Sequence, residues 1–299
     1  MNSHSFHSPL RYPGGKGMLS NYMKLVLQQN DLLDGHYVEL YAGGAGIAWA
    51  LLFDEYVRYV HVNDISKPIY AFWQSVLNET DDLCKLITDS PVTIEQWAQQ
   101  QSVLANQQNH SRLDVGFATF FLNRTNRSGI ISGGVIGGKA QSGKWKLDAR
   151  FNKRDLLARI QRIACYRDRI FVHNDDASHF ITTQLLHLPS KTLLYLDPPY
   201  YIKGQGLYED YYLHEDHQAI ADLVTSCVDK HWIVSYDATP TILFLYGGHR
   251  SIRYNISYSA QQHYAGSEVM FFSENLTIPP VTNPVRPRPT VVAAGTSPL

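Results

Sequence analysis

The sequence predicts an α/β fold. A mostly parallel sheet is laid down in two blocks, residues 1–66 and 169–276, and a mostly helical, basic insertion over 67–168 divides them. Three observations predict this. A strand, a glycine-rich turn, a helix and a second strand follow one another within 37–64, the pattern of a parallel βαβ unit. Apolar strand patterns return over 169–176 and 192–200, each running into aspartate. Between the blocks, Arg112 to Arg169 carries thirteen Lys/Arg against four Asp/Glu, a local balance of +9 in a chain of net charge −1. Such asymmetry puts a basic face on an acidic body and points to a polyanionic partner.

The elements follow in order. Residues 17–30 (GMLSNYMKLVLQQN) have helical spacing. YVELYAG (37–43) is a strand entering a turn, IAWALLF (47–53) a helix, and YVHVND (59–64) a strand ending on Asn63 and Asp64. Periodic stretches over 69–87 and 93–108, separated by Pro91, predict two or three helices. The Gly-rich, Lys-bearing stretch 131–148 predicts a hairpin or mobile loop, and 153–169 an amphipathic basic helix. Residues 214–230 put His217, Ile220, Leu223, Val224, Cys227 and Val228 on one helical face. HWIVSYD (231–237) is a strand, and 252–260 with 267–273 form a closing antiparallel pair. From Pro279 the Pro-rich, apolar-poor tail to 299 is expected to be disordered.

Composition excludes several classes. The chain has 299 residues, 44% hydrophobic and 18% charged, enough for a sizeable core. It has no apolar run of membrane-spanning length, and its polar N-terminus has no signal-peptide core. Cys84, Cys165 and Cys227 lie too far apart for a disulfide framework or a zinc cluster, which fits a reducing cytosol. His214 and His217 lack a third ligand, so no metal is expected.

Four stretches carry chemistry. LLYLDPPYYIKGQG (193–206) stops an apolar strand on Asp197, and Pro198 and Pro199 then fix the backbone and remove two donors. ELYAGGAGIAW (39–49) places glycines between a strand and a helix, where a ligand can approach the backbone. It matches neither G-x-G-x-x-G nor a P-loop. Asp64, about twenty residues on, can accept from ribose hydroxyls. Glycine turn plus acid fits a nucleoside-bearing cofactor without choosing among NAD, FAD and S-adenosylmethionine. SPLRYPGGKG (8–17) suggests a loop closing on an anion or a carboxylate.

RYPGGKG, then ELYAGGAG, then VND, and LDPPY after a basic insertion is a motif order that resembles the Dam-like DNA adenine-N6 methyltransferases. FFLNRTNRSGI (120–130) and KWKLDARFNKRDL (144–156) resemble that group too, and the likeness spans about residues 8–273. Tyr12 stands where the best-known members carry Trp. The insertion lacks their GATC-reading segment, which leaves the target sequence open.

The resemblance implies a Rossmann-like methyltransferase sheet with a DNA-recognition insertion. It implies S-adenosylmethionine as cofactor and methyl transfer to N6 of an adenine flipped out of duplex DNA. Asp197, Pro198, Pro199 and Tyr200 would be the catalytic motif, with Tyr200 stacking on the base. Cofactor contacts would come from Tyr12, Gly14, Gly15 and Lys16, and from Glu39, Tyr41, Gly43, Gly44 and Gly46 of the turn. Asp64, Ile65 and Asp197 would join them, with Asp176, ranked over Asp175, at the adenine end. Arg124, Arg127, Lys139, Lys144, Lys146, Arg150, Lys153 and Arg154 would contact phosphates, and Asn123 and Asn126 an adenine edge. A monomer or weak dimer in a bacterial or phage-infected cytoplasm is expected, with a cognate restriction endonuclease left open as a partner. Transfer to cytosine N4 or to RNA, or an inert DNA-binding relative, are the alternatives.

Overall fold

The central strands are apolar on both faces, and the structure shows what covers them. It is a computed structural model that describes residues 7–12, 15–201, 212–226, 229–257 and 265–287. Seven strands form one sheet: β1 Gly35–Glu39, β2 Val57–Asn63, β3 Ile170–His173, β4 Thr192–Leu196, β5 His231–Asp237, β6 Ser251–Ser257 and β7 Ala265–Phe272. Their order is β3-β2-β1-β4-β5-β7-β6. All pairs are parallel except those of β7, which runs antiparallel to both β5 and β6. The strand order reverses between β1 and β4. In open α/β sheets that switch point opens a crevice at the carboxyl ends of the strands, and Glu39 and Leu196 end there.

Side chains alternate across the sheet with period two. Leu193 and Tyr195 join Tyr37, Ile233 and Met270 on one face, while Leu194, Leu196, Val38, Val234 and Tyr236 pack on the other. The first face is covered by α1 Ser20–Gln29, α2 Gly46–Phe53, α3 Lys67–Asn78, α6 Arg112–Thr125 and α7 Lys153–Ala164, and α4 Thr80–Asp89 and α5 Ile94–Ala105 extend that layer. The second is covered by α8 Ala177–Thr183, α9 His214–Ser226 and α10 Pro240–Leu245.

Within the 67–168 block, Phe72 and Trp73 of α3, Phe120 of α6 and Ile160 of α7 share one core with Tyr22, Trp49 and Val60. The periodic stretches 69–87 and 93–108 form three helices, α3, α4 and α5, the first two meeting at Glu79, whose carboxylate accepts from Arg112 Nε (3.1 Å) and from Ser75 Oγ (3.2 Å). The expectations for the loop and the tail change. Stretch 131–148 is tied down. Asn126 bridges to Val135, and the Gln141 side chain donates to the carbonyls of Ile136 and Gly138 and accepts from the Leu147 amide. The first part of the tail docks: Ile278, Val281 and Val285 pack against the core, and the Asn30 side chain holds both backbone groups of Thr277. Residues 288–299 lie outside the described residues. Among those described, no helix is long and apolar enough to cross a membrane.

Candidate active site

Asp197 follows the last residue of β4 and sits at the switch point. The 3-10 turn Lys16–Leu19 brings Lys16 beneath it. Lys16 Nζ donates to both Asp197 oxygens (2.8 and 3.0 Å) and to the Tyr200 hydroxyl (3.1 Å), and lies 3.5 Å from Glu268 Oε1. Glu268, on β7, also accepts from the Tyr200 hydroxyl and, on Oε2, from the Tyr254 hydroxyl (2.8 Å). Burial alone would lower the Lys16 ammonium, but Asp197 and then Glu268 outweigh it and hold it well above its ordinary value. Burial pushes the Asp197 carboxyl up, Lys16 pulls it back and Glu268 pushes it up again, leaving it at about 6. The Lys16 and Glu268 side chains are almost completely enclosed, whereas 21% of the Asp197 side chain stays open. A reactant can therefore reach Asp197 and not the groups behind it.

The glycine turn lies beside this cluster. Gly43 (φ 44°) and Ala45 (φ 49°) both adopt left-handed backbone, which sharpens the entry to α2. Two indoles pin the turn: Trp49 Nε1 donates to the Gly44 carbonyl and Trp73 Nε1 to that of Gly43. The Tyr12 ring lies so close over Gly43 that a Cβ there would meet it at 2.7 Å. Gly15 and Gly17 let the N-terminal loop approach: the Gly15 amide donates to the Tyr12 carbonyl, and a Cβ on Gly46 would lie 3.2 Å from Gly17. Asp64 accepts the Gly43 amide on Oδ2 (2.8 Å) and the Ser66 amide on Oδ1 (3.0 Å).

The structure thus gathers Tyr12, Gly15, Lys16, Gly43, Gly44, Gly46, Asp64 and Asp197 at the carboxyl end of the central strands; Gly14 lies outside the described residues. Ile65 is exposed beside it. Tyr41 bonds the Tyr212 hydroxyl (2.8 Å). Other expected site residues are used differently. Glu39 is buried, accepts the Ala48 amide at the start of α2, and is pushed by burial to about 8, so it supports the turn from beneath. Asp176 caps α8 through the Ser178 and His179 amides, and the Asp175 backbone is clamped by Asn63. Tyr200 is buried and its hydroxyl is held by Lys16 and Glu268, so it forms a wall of the site and not the open stacking platform expected.

The insertion divides similarly. Asn123 and Asn126 are fully buried and do not face solvent. Asn123 bonds both backbone groups of Arg11 (2.7 Å each), and Asn126 accepts Trp97 Nε1 while its carbonyl accepts from Arg11 Nη1. Arg124 donates to the carbonyls of Arg150 and Pro9. Burial, then Arg11 and Arg159, lower its guanidinium to about 9. Lys153 donates to the Thr88 and Ser90 carbonyls at the end of α4 (2.7 Å each). Arg127, Lys139, Lys144, Lys146, Arg150 and Arg154 are exposed, as a phosphate-facing surface requires, and Trp145 stands exposed among them.

Three comparisons bear on this geometry. The family model for the D12 class of N6 adenine-specific DNA methyltransferases matches residues 12–260. Among solved structures, the chain is similar to a candidate RNA methyltransferase from Pyrococcus horikoshii at 9% identity and a TM-score of 0.42, covering 85% of this chain and 82% of that one. It is also similar to an S-adenosylmethionine-dependent methyltransferase from Agrobacterium tumefaciens, at 11% identity and a TM-score of 0.40, covering 85% of this chain and 60% of that one. No curated protein matches.

Proposed function

The chain belongs to the D12 class N6 adenine-specific DNA methyltransferase family, and from that premise we propose that it transfers a methyl group from S-adenosylmethionine to N6 of an adenine extruded from duplex DNA. One observation carries the reading: the Asp197 carboxylate stands part-open at the end of β4, backed by the buried Lys16 ammonium, with Pro198 and Pro199 next in the chain. The crevice suits the cofactor. The glycine turn, packed under Tyr12, lies next to Asp64, which can accept ribose hydroxyls, and with Glu39 protonated the charges of Lys16, Asp197 and Glu268 sum to −1, which favours a sulfonium. When bound, S-adenosylmethionine supplies an electrophilic methyl.

The chain's own residues then orient the amine. An exocyclic amine is a poor nucleophile because its lone pair is delocalised into the ring. The Asp197 carboxylate and the Pro198 carbonyl accept its two N–H bonds, draw nitrogen toward a tetrahedral arrangement, and aim the lone pair along the remaining direction. This is positioning plus preorganised electrostatics, with no covalent enzyme intermediate. Pro198 and Pro199 have no amide hydrogens to compete and hold the carbonyl in place. The exposed cations of the insertion hold the phosphates of the duplex.

The test is nucleoside mass spectrometry of duplex DNA and of RNA incubated with purified protein and labelled cofactor. N6-methyladenine in DNA is expected. Methylated cytosine, or label in RNA alone, would replace the substrate assignment, and no product beside measurable DNA binding would mark an inert relative.

A further inference from the structure

Glu268 is 1% exposed, and a carboxylate so enclosed is tolerated only where its lone pairs are used. It accepts from Tyr200 and Tyr254 and faces Lys16, the bonding of an anion. Around this cluster stand Tyr37 and Glu39 of β1, Tyr195 of β4, Tyr236 and Asp237 of β5, and Tyr254 of β6. Burial holds the four tyrosines well above their ordinary range and keeps Glu39 protonated near neutrality. Asp237 accepts the Tyr201 amide. One ammonium, Lys16, therefore lies against two carboxylates, Asp197 and Glu268. Had Lys16 only Asp197 to serve, the pair would lock as an ion pair and Asp197 would be a feeble base.

We propose that Glu268 is the standing counter-ion of Lys16, a positioning residue that leaves Asp197 free to take up and release one proton in each turnover. The step rests on the methyl-transfer reading. As nitrogen gains the methyl group, one N–H bond breaks, its electrons stay on nitrogen, and the proton forms an O–H bond on Asp197. Lys16 and Glu268 remain a neutral pair. The cluster passes from one negative charge to none as the sulfonium charge of the methyl donor disappears, so the buried site never gathers uncompensated charge. Asp197 then returns the proton to water through its open side.

The test begins with cofactor-free protein. The Asp197 carboxyl carbon, assigned by its absence in Asp197→Asn, is followed by ¹³C NMR against pH. The midpoint near pH 6 should fall to about pH 5 or lower in Glu268→Gln, because a like charge a few ångströms away has been removed. It should fall by less in Glu268→Asp, which keeps a charge but draws it back; this variant carries the test if Glu268→Gln does not fold. The acid limb of single-turnover transfer should move with the midpoint, and the plateau rate should drop about tenfold or more. An unmoved Asp197 midpoint in the folded variants overturns the assignment, whatever their stability. If the midpoint moves but the wild-type protein methylates no adenine, the substrate reading fails and the charge assignment stands.

Discussion

At the scale of single residues, Asp197 does its work from a strand end that is buried everywhere except at its tip. Asp197→Ala should lower the single-turnover rate by about 10²–10³, the usual loss for one preorganised partner, with DNA and cofactor dissociation constants much less affected. Transfer by the wild-type protein should fall as pH drops through about 6, where the carboxylate that accepts from the amine becomes a carboxylic acid. Near-wild-type transfer by Asp197→Ala in rapid-quench measurements would remove the mechanism. Asp197, Lys16 and Asp64 were legible in the sequence because each sits in a short motif with its own turn chemistry. Glu268 was not. It is a lone acid in the strand SEVMFF, and only the pairing of β7 with β5 and β6 brings it beneath Lys16. Asn123 and Asn126 were misread for the opposite reason. Their amides look like base readers, but the packing of α6 turns them inward onto Arg11.

At the scale of elements, three adjacent strands each contribute a histidine to one row. His36 Nδ1 lies 3.0 Å from His61 Nε2, and His61 Nδ1 lies 3.4 Å from His173 Nε2. Burial, then His173 and His36, lower the His61 imidazole from 6.5 to about 3. The sign follows from linkage: the folded value is depressed, so the unfolded chain binds the proton first. The contribution of His61 is complete above about pH 6.5 and is lost progressively as pH falls toward 3, at about 1.4 kcal/mol per pH unit. Urea unfolding of wild type and His61→Phe at pH 7 and pH 5 should show the variant losing less stability between the two. Equal losses would mean that His61 does not stay neutral in the fold. The sequence marked three strands, by alternation only over 59–64, but not the row, because register decides which histidines meet, and register follows from the packed sheet. The short α8 and α10 escaped notice too, since six or seven residues hold too few turns for helical periodicity to register.

At the scale of the whole molecule, the basic insertion is both surface and core. Its charge balance was legible from composition, but the division of labour among its cations was not, because a lysine that caps a helix and one that faces solvent read alike. Lys144→Ala should flatten the salt dependence of DNA binding by about one unit, the signature of one phosphate contact. Lys153→Ala should leave the salt slope unchanged and lower the melting temperature, because its ammonium is held by the Thr88 and Ser90 carbonyls. Fluorescence titrations at several salt concentrations, with melting curves of both variants, separate the two roles. Removing residues 277–299 should lower the melting temperature as well, because Ile278, Val281 and Val285 would leave the core. An unchanged melting curve would show that this docking contributes no stability.

The two hydrogen bonds between Asn123 and the Arg11 backbone tie α6, which leads into the segment bearing the exposed cations, to the residue next to Tyr12. If the proposed cofactor and DNA sites act on each other through this contact, linkage requires the effect to be equal in both directions. Whatever factor the cofactor imposes on DNA affinity, DNA imposes on cofactor affinity. Asn123→Ala should bring that factor toward one while leaving each separate affinity closer to its own value, measurable by calorimetry with and without the second ligand.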